Sequence, residues 1–147
     1  ARMLGKEKFI SAQDEYSLLV RGVEREVLPA VRAYGLGFLP YFPLYNGLFT
    51  GKFSRDGGPA DSRIMHTRPQ VLDAVPWDAY DRYAAFCAER DITMLEATFG
   101  WLLAQPNLTS VIAGATTPEQ IRQNAAASVS WSPTADDLRM IRAFFAA

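Results

Sequence analysis

The chain has 147 residues, 49% of them hydrophobic and 21% charged, which suits one globular domain with a sizeable core and excludes a disordered polymer. A formal net charge of -1 implies no basic surface, so no nucleic-acid partner is expected. One cysteine, Cys87, leaves no intramolecular disulfide, as suits a reducing cytoplasm, and no signal peptide or bilayer-length apolar run points to a membrane.

The opening ARMLGKEKF reads as the end of a helix, with Gly5 at the position just past it, and predicts that the chain is the back part of something longer. Residues 9–13 (FISAQ) are short, apolar and flanked by charge, a candidate buried strand. Val23, Val27, Leu28 and Val31 repeat at the spacing of one helix face, predicting a helix over 23–35 that Gly35 stops and Pro29 kinks. A second buried strand is predicted over 37–43, GFLPYFP, giving a strand–helix–strand crossover long enough for a parallel sheet. The loop that follows carries Asn46, Gly47, Gly51 and Lys52. Backbone N–H groups beside a cation at the end of a buried strand are the chemistry that holds a phosphate.

Residues 54–75 show no period and read as a long surface loop. Residues 77–90 predict an amphipathic helix with Trp77, Tyr80, Tyr83, Ala84, Cys87 and Ala88 on one side. Residues 93–104 are apolar nearly all round and predict a buried helix. A β-branched strand is expected over 109–113, ending at Gly114. Thr117, Pro118 and Gln120 then predict a helix start with a complete capping box. A last helix starts at Thr134 and buries Leu138, Ile141, Phe144 and Phe145. Three parallel strands with helical crossovers fit part of a (β/α) barrel or a doubly wound sheet.

Each candidate site residue has a plainer role beside its functional one. Gly114 either lets the backbone approach an anion at a helix start or only makes the tight turn. Lys52 and Arg63 either clamp a phosphate or are ordinary solvated cations. The Gln13 amide ends the first strand, where it can meet a ligand or a protein partner. Tyr41 offers a ring face for stacking, or is a core aromatic. His66 has no acid or cysteine near it in sequence, Cys87 reads as a core thiol, and Asp136 and Asp137 complement a helix first turn. No nucleophile, metal or P-loop motif is present.

Taken together, FISAQDEYSLL, LPYFPLYNGLFTGKF and VIAGATTPEQIRQN resemble the closing part of an aldo-keto reductase, in that family's order and spacing and over nearly all of residues 1–147. The resemblance implies the last three parallel strands of a TIM (β/α)8 barrel with their helices, and the family's NADP(H)-dependent reduction of aldehydes or ketones. It implies that Gln13 bonds the nicotinamide carboxamide and that Tyr41 stacks on the nicotinamide ring. Phe42, Pro43, Leu44, Tyr45 and Asn46 would line the pyrophosphate, mainly through backbone groups, and Lys52 and Arg63 would pair with cofactor phosphates. Gly114, Thr116, Gln120, Gln123 and Asn124 match the segment around the adenosine and its 2′-phosphate. Gln120 stands where many members have Arg and Gln123 where Glu is usual, which weakens strict choice of NADP over NAD.

The family's acid tyrosine and its lysine, aspartate and histidine helpers belong to earlier strands absent from this sequence. None of Tyr41, Lys52, His66 or Asp14 matches them, so no catalytic residue is assigned. The implied partners are a small carbonyl substrate and either the missing N-terminal half of the barrel or a second copy. The alternative is an NADPH-binding regulatory or channel-subunit-like module without chemistry.

Overall fold

The computed structural model describes Gly5 and residues 7–146. The expectation that residues 1–4 end a helix lies outside these, although Gly5 has the left-handed φ of +62°. Strand β1, Ser11–Glu15, pairs in parallel with β2, Gly37–Tyr41, so that Ser11 faces Gly37 and Glu15 faces Tyr41. The strand starts later than the apolar pattern predicts: Phe9 and Ile10 are 83% and 80% exposed. The connection is a 3-10 turn, Gly22–Glu24, and helix α1, Val27–Tyr34, closed by Gly35 at φ +62°. The predicted single helix is therefore broken at Arg25 and Glu26 and is not kinked at Pro29. Pro29 falls in the first turn of α1, where no intrahelical bond needs its missing N–H.

The third strand, expected over 109–113, forms only as a bridged strip. Phe38 donates its N–H to the Asn107 carbonyl and accepts from the Thr109 N–H, both at 2.9 Å. The next donor on that side of β2 would be residue 40, which is proline, so the regular ladder stops. The Pro40 carbonyl still accepts from Ile112 N at 2.9 Å. Between the parallel bridges Phe38–Leu108 and Tyr41–Ile112 the strip holds one extra residue, a bulge. Gly37 permits the approach, since a Cβ there would lie 2.5 Å from Thr109 Oγ1. The result is an α/β unit with two regular parallel strands.

Alternation sorts the sheet's two faces. Phe38 and Pro40 are buried beneath helices, whereas Ser11, Gln13 and Tyr41 are exposed on the other face. On the covered side α3, Trp77–Glu89, packs on α6, Ala135–Phe144, and α4, Met94–Leu103, packs on α5, Pro118–Ser130. Trp101, Tyr83, Phe86 and Ile141 fill the core. Phe86 was not in the predicted stripe of α3, whereas Ala88, which was, is exposed. Gly100 lets α4 meet the Trp131 ring, 2.7 Å from where a Cβ would stand.

Thr93 and Thr134 form capping boxes with Glu96 and Asp137. The box expected at α5 is only half made. Thr117 accepts from Gln120 N, but the Gln120 side chain turns to Thr116. Residues 54–75 are ordered by short devices that a periodicity search does not see. These are the Ser54–Gly57 bridge, a five-residue helix α2 (Arg63–Thr67) capped by Ser62, and a 3-10 turn, Pro69–Ala74, with proline first. No helix among the described residues is long and apolar enough to cross a membrane.

A polar network fixes the C-terminal end of β1 to the last helix. Tyr16, fully buried, donates its hydroxyl to Glu24 Oε1 at 2.8 Å, and Arg21 grips the same carboxylate through Nε and Nη2, both at 2.8 Å. Arg142 of α6 stands 3.7 Å from Glu24 Oε2, and the Arg21 guanidinium lies over Trp101. Burial by itself would raise the Glu24 pKa, but the Arg21 and Tyr16 bonds outweigh it and hold the carboxyl below its ordinary 4.5. The folded value is the lower one, so the stabilisation is complete above the ordinary pKa and is lost as pH falls through the folded value. Glu24→Gln should cost about 1–3 kcal/mol at pH 7. Urea unfolding at pH 6 and pH 3 should show the gap between variant and unsubstituted chain shrinking in acid. A gap that is constant or grows would show that this carboxylate is not what acid titrates.

Candidate functional site

The C-terminal ends of the parallel segments converge. Gln13 and Tyr41 stand on the same bare face of β1 and β2, but Gln13 does not end its strand as expected: β1 runs on to Glu15, and Gln13 sits in its middle, opposite Leu39. Tyr41 bridges to Ile112, and Gly114 follows two residues later without a turn of its own, the chain bending only at Thr116 and Thr117, so the three segments run to one rim. Tyr41 is 37% exposed and its ring meets Phe42 edge-on, 5.5 Å between centroids. A ring held this way presents a face to whatever lies on the open side. Pro43 and Leu44 are buried, so their contribution to the rim is backbone. The segment 37–43 ends as a strand at Tyr41, and Phe42 and Pro43 belong to the turn.

That turn is strained. Phe42, Tyr45 and Asn46 have φ of 51°, 47° and 58°, and Gly47 has φ 97°. Left-handed backbone costs a non-glycine residue about 1–2 kcal/mol, least for asparagine. The conformation persists because the next residues are nailed into the core. Leu48 and Phe49 are fully buried, Phe49 among the rings of Tyr80, Tyr83 and Phe145. The Tyr80 hydroxyl donates to the Leu48 carbonyl at 3.2 Å, and Thr50 Oγ1 donates to the Gly47 carbonyl at 2.7 Å. Burial pushes the Tyr80 phenol up to about 12, so it stays protonated and able to donate. One group in the turn is unsatisfied: Asn46 Oδ1 is buried with no hydrogen-bond partner, at a cost of about 1–3 kcal/mol.

The remaining sequence candidates lie in several places, and Arg63 stands beside this turn. Arg63, exposed at the start of α2, lies with its guanidinium 5.6 Å from the Phe42 ring, which brings it beside the turn. Lys52, also exposed, lies over Phe53. Thr116 donates both N–H and hydroxyl to Gln120 Oε1, at 2.7 and 3.1 Å, closing the loop after Gly114 onto α5. Gln123 points back to Glu119, its Nε2 3.5 Å from the carboxylate. Asn124 lines a cavity of about 280 Å³ between α4, the third strip and α5, so it is not brought to Tyr41.

His66 is exposed on α2, and among the described residues no group of His, Cys, Asp and Glu converges as metal ligands would. Cys87 is buried and its thiol is pushed up to about 12 by that burial, which makes it inert. The residues that sequence reasoning missed are the anchors Leu48 and Phe49, and Tyr80, read as part of the buried face of α3, was not read as their partner. An aromatic at 49 following a glycine turn was the available signal, but nothing local says which core it enters.

The family model described as Aldo/keto reductase family matches residues 2–145. Among curated relatives, the NADH-specific methylglyoxal reductase of Escherichia coli (strain K12) is 36% identical over 78% of this chain and 36% of its own length. A probable voltage-gated potassium channel subunit beta of Oryza sativa subsp. japonica is 34% identical over 78% of this chain and 37% of its own. The L-glyceraldehyde 3-phosphate reductase of Escherichia coli O157:H7 is 30% identical over 88% and 39%. The chain thus spans well under half the length of the relatives it matches.

Gly47 has open space around it, so a Cβ there meets no atom within 4 Å and any cost of Gly47→Ala is backbone strain. The substitution should destabilise by about 1–2 kcal/mol, read as a lowered urea midpoint at unchanged slope. An unaltered midpoint would show that the turn relaxes freely and is not held strained by Leu48 and Phe49.

Proposed function

The chain belongs to the aldo/keto reductase family, and from that premise we propose that it is the cofactor-holding part of an NADP(H)-dependent reductase that converts aldehydes or ketones to alcohols. The reading is carried by the shared rim: Tyr41 ends β2, Gln13 lies two residues before the end of β1 on the same bare face, and Gly114 follows the bridged residue Ile112 on the neighbouring strip. In open parallel sheets and barrels that end of the strands is where ligands bind. Tyr41 would stack on the nicotinamide ring and Gln13 would bond its carboxamide. The backbone of Phe42, Pro43, Leu44, Tyr45 and Asn46 would line the pyrophosphate. Gly114, Thr116 and Gln120 would meet the adenosine end, with Gln123 and Asn124 behind them. Arg63, beside the turn, and Lys52 supply positive charge for phosphate. The unpaired acceptor of Asn46 fits a site that expects a donor from outside.

The bound cofactor supplies the hydride; this chain's residues hold and orient it. A proton donor must still reach the substrate oxygen, and no residue is assigned that part. The sheet's bare face and its two outer edges are the surfaces that the rest of a partial TIM barrel would cover, in the same cytoplasmic polypeptide or from a second copy. A second reading, an NADPH-binding regulatory module, is favoured by the relative named a probable channel subunit beta. It shares the cofactor site and differs only in lacking chemistry.

The test is a titration of the 147-residue chain with NADPH and NADH, followed by nicotinamide fluorescence, with turnover assayed on a panel of aldehydes. Binding without turnover is expected. Arg63→Ala or Lys52→Ala should weaken NADPH about tenfold and NADH less. Equal losses for both nucleotides would remove these cations from any role at the 2′-phosphate, and turnover above a protein-free control would refute the assignment of no catalytic residue. Sedimentation should show association through the open edges. A monomer that melts cooperatively would contradict it.

A further inference from the structure

Asn46 combines two local costs in one residue, a left-handed backbone and a buried carbonyl oxygen without a donor. The backbone cost has an evident cause, because Leu48 and Phe49 are locked in the core immediately after it. The orphaned acceptor has none: the neighbouring carbonyls of Leu44 and Gly47 are both satisfied, by Gly47 N and Phe49 N and by Thr50 Oγ1. Asn46 as a whole is only partly buried, although its Oδ1 is fully so. Phe42, with Arg63 against its ring, begins the same turn.

We infer that Asn46 is a ligand-responsive acceptor: when a dinucleotide enters the rim, the side chain rotates about χ1, leaves its pocket, and its Oδ1 takes a hydrogen bond from a donor on that nucleotide. This rests on the nucleotide reading above and adds to it a side-chain role for a residue otherwise credited with backbone contact. The physical basis is differential interaction. A group unpaired in the free state and paired in the bound state biases the turn toward the bound form by the whole difference. Burial of an unsatisfied polar group is tolerated at functional sites for this reason.

Asn46→Gly is the discriminating variant, since glycine keeps the left-handed backbone and deletes only the amide. The nucleotide-free variant should melt higher, by about 2–4 °C, while its affinity for NADPH falls about tenfold. Opposite movement of the two quantities is what a structural role does not give. ADP-ribose, which keeps the ribose hydroxyls and lacks the carboxamide, locates the donor. A matching loss assigns a ribose hydroxyl or the adenine amino group, and a loss confined to NADPH assigns the carboxamide N–H. Unchanged affinity, or stability and affinity falling together, overturns the inference while leaving the nucleotide reading in place. An unsubstituted chain that binds neither nucleotide overturns both.

Discussion

The insertion of Leu48 and Phe49 into the core is the contact on which the candidate site depends. Burying a leucine and a phenylalanine contributes about 1.5–3 kcal/mol each, enough to offset left-handed backbone at Phe42, Tyr45 and Asn46, which costs about 1–2 kcal/mol per residue. Neither aromatic would adopt that backbone in isolation. The turn is a shape imposed from behind by Tyr80, Tyr83 and Phe145, on helices α3 and near the end of α6. Elements distant in sequence therefore determine how the residues after β2 present themselves at the rim.

A second constraint sets what that rim contains. Pro40 removes one donor from β2 and the strip after it takes a bulge, so the strip is joined at only two bridges. Ile112 is nevertheless paired to the end of β2, and this pairing brings the segment that runs on to Gly114 to the level of Tyr41. A regular ladder without the extra residue would shift the side chains beyond the bulge to the opposite face. The Tyr16–Glu24–Arg21 network does the same service just past the end of β1, the strand that carries Gln13. Each strand end is thus fixed by a different device: a polar network, a packed turn, and a bulge.

Much of this was legible in the sequence where the signal is local. The helix start at Thr117 follows from capping chemistry, which acts within four residues, and Tyr80, Tyr83 and Cys87 on the buried face of α3 follow from spacing, although Phe86 does not. The strand–turn unit at residues 37–51 was legible because apolar run, glycine and cation are contiguous. The rest shows in no apolar pattern. The break at Arg25 and Glu26 and the exposure of Phe9 and Ile10 have no local periodic signal, and the loss of regular pairing after Phe38 comes from Pro40, whose missing donor an apolar run conceals. Gln120 illustrates the boundary. Its residue type suits a capping box, but Thr116 offers two donors to its oxygen, and the side chain goes where more bonds are available. Asn124 shows the same limit at the site: its helix position was readable, but not that it would line the seam between α4 and α5.

The comparison with relatives becomes intelligible in these terms. Two proteins whose names denote reductases and one whose name denotes a channel subunit match this chain at similar identity. A rim that presents a ring face, an amide and backbone groups, with the Arg63 cation beside it, is suited to hold a charged, planar ligand. Holding it is a requirement common to reduction and to sensing. Chemistry demands in addition a proton donor whose pKa and position are matched to a substrate oxygen. Tyr16 and Tyr83 are moved upward by burial, which keeps their protons on, and are engaged with Glu24 and Thr98. On the reading proposed above these residues hold and shape, and reduction would add to that frame a proton donor within reach of the substrate oxygen.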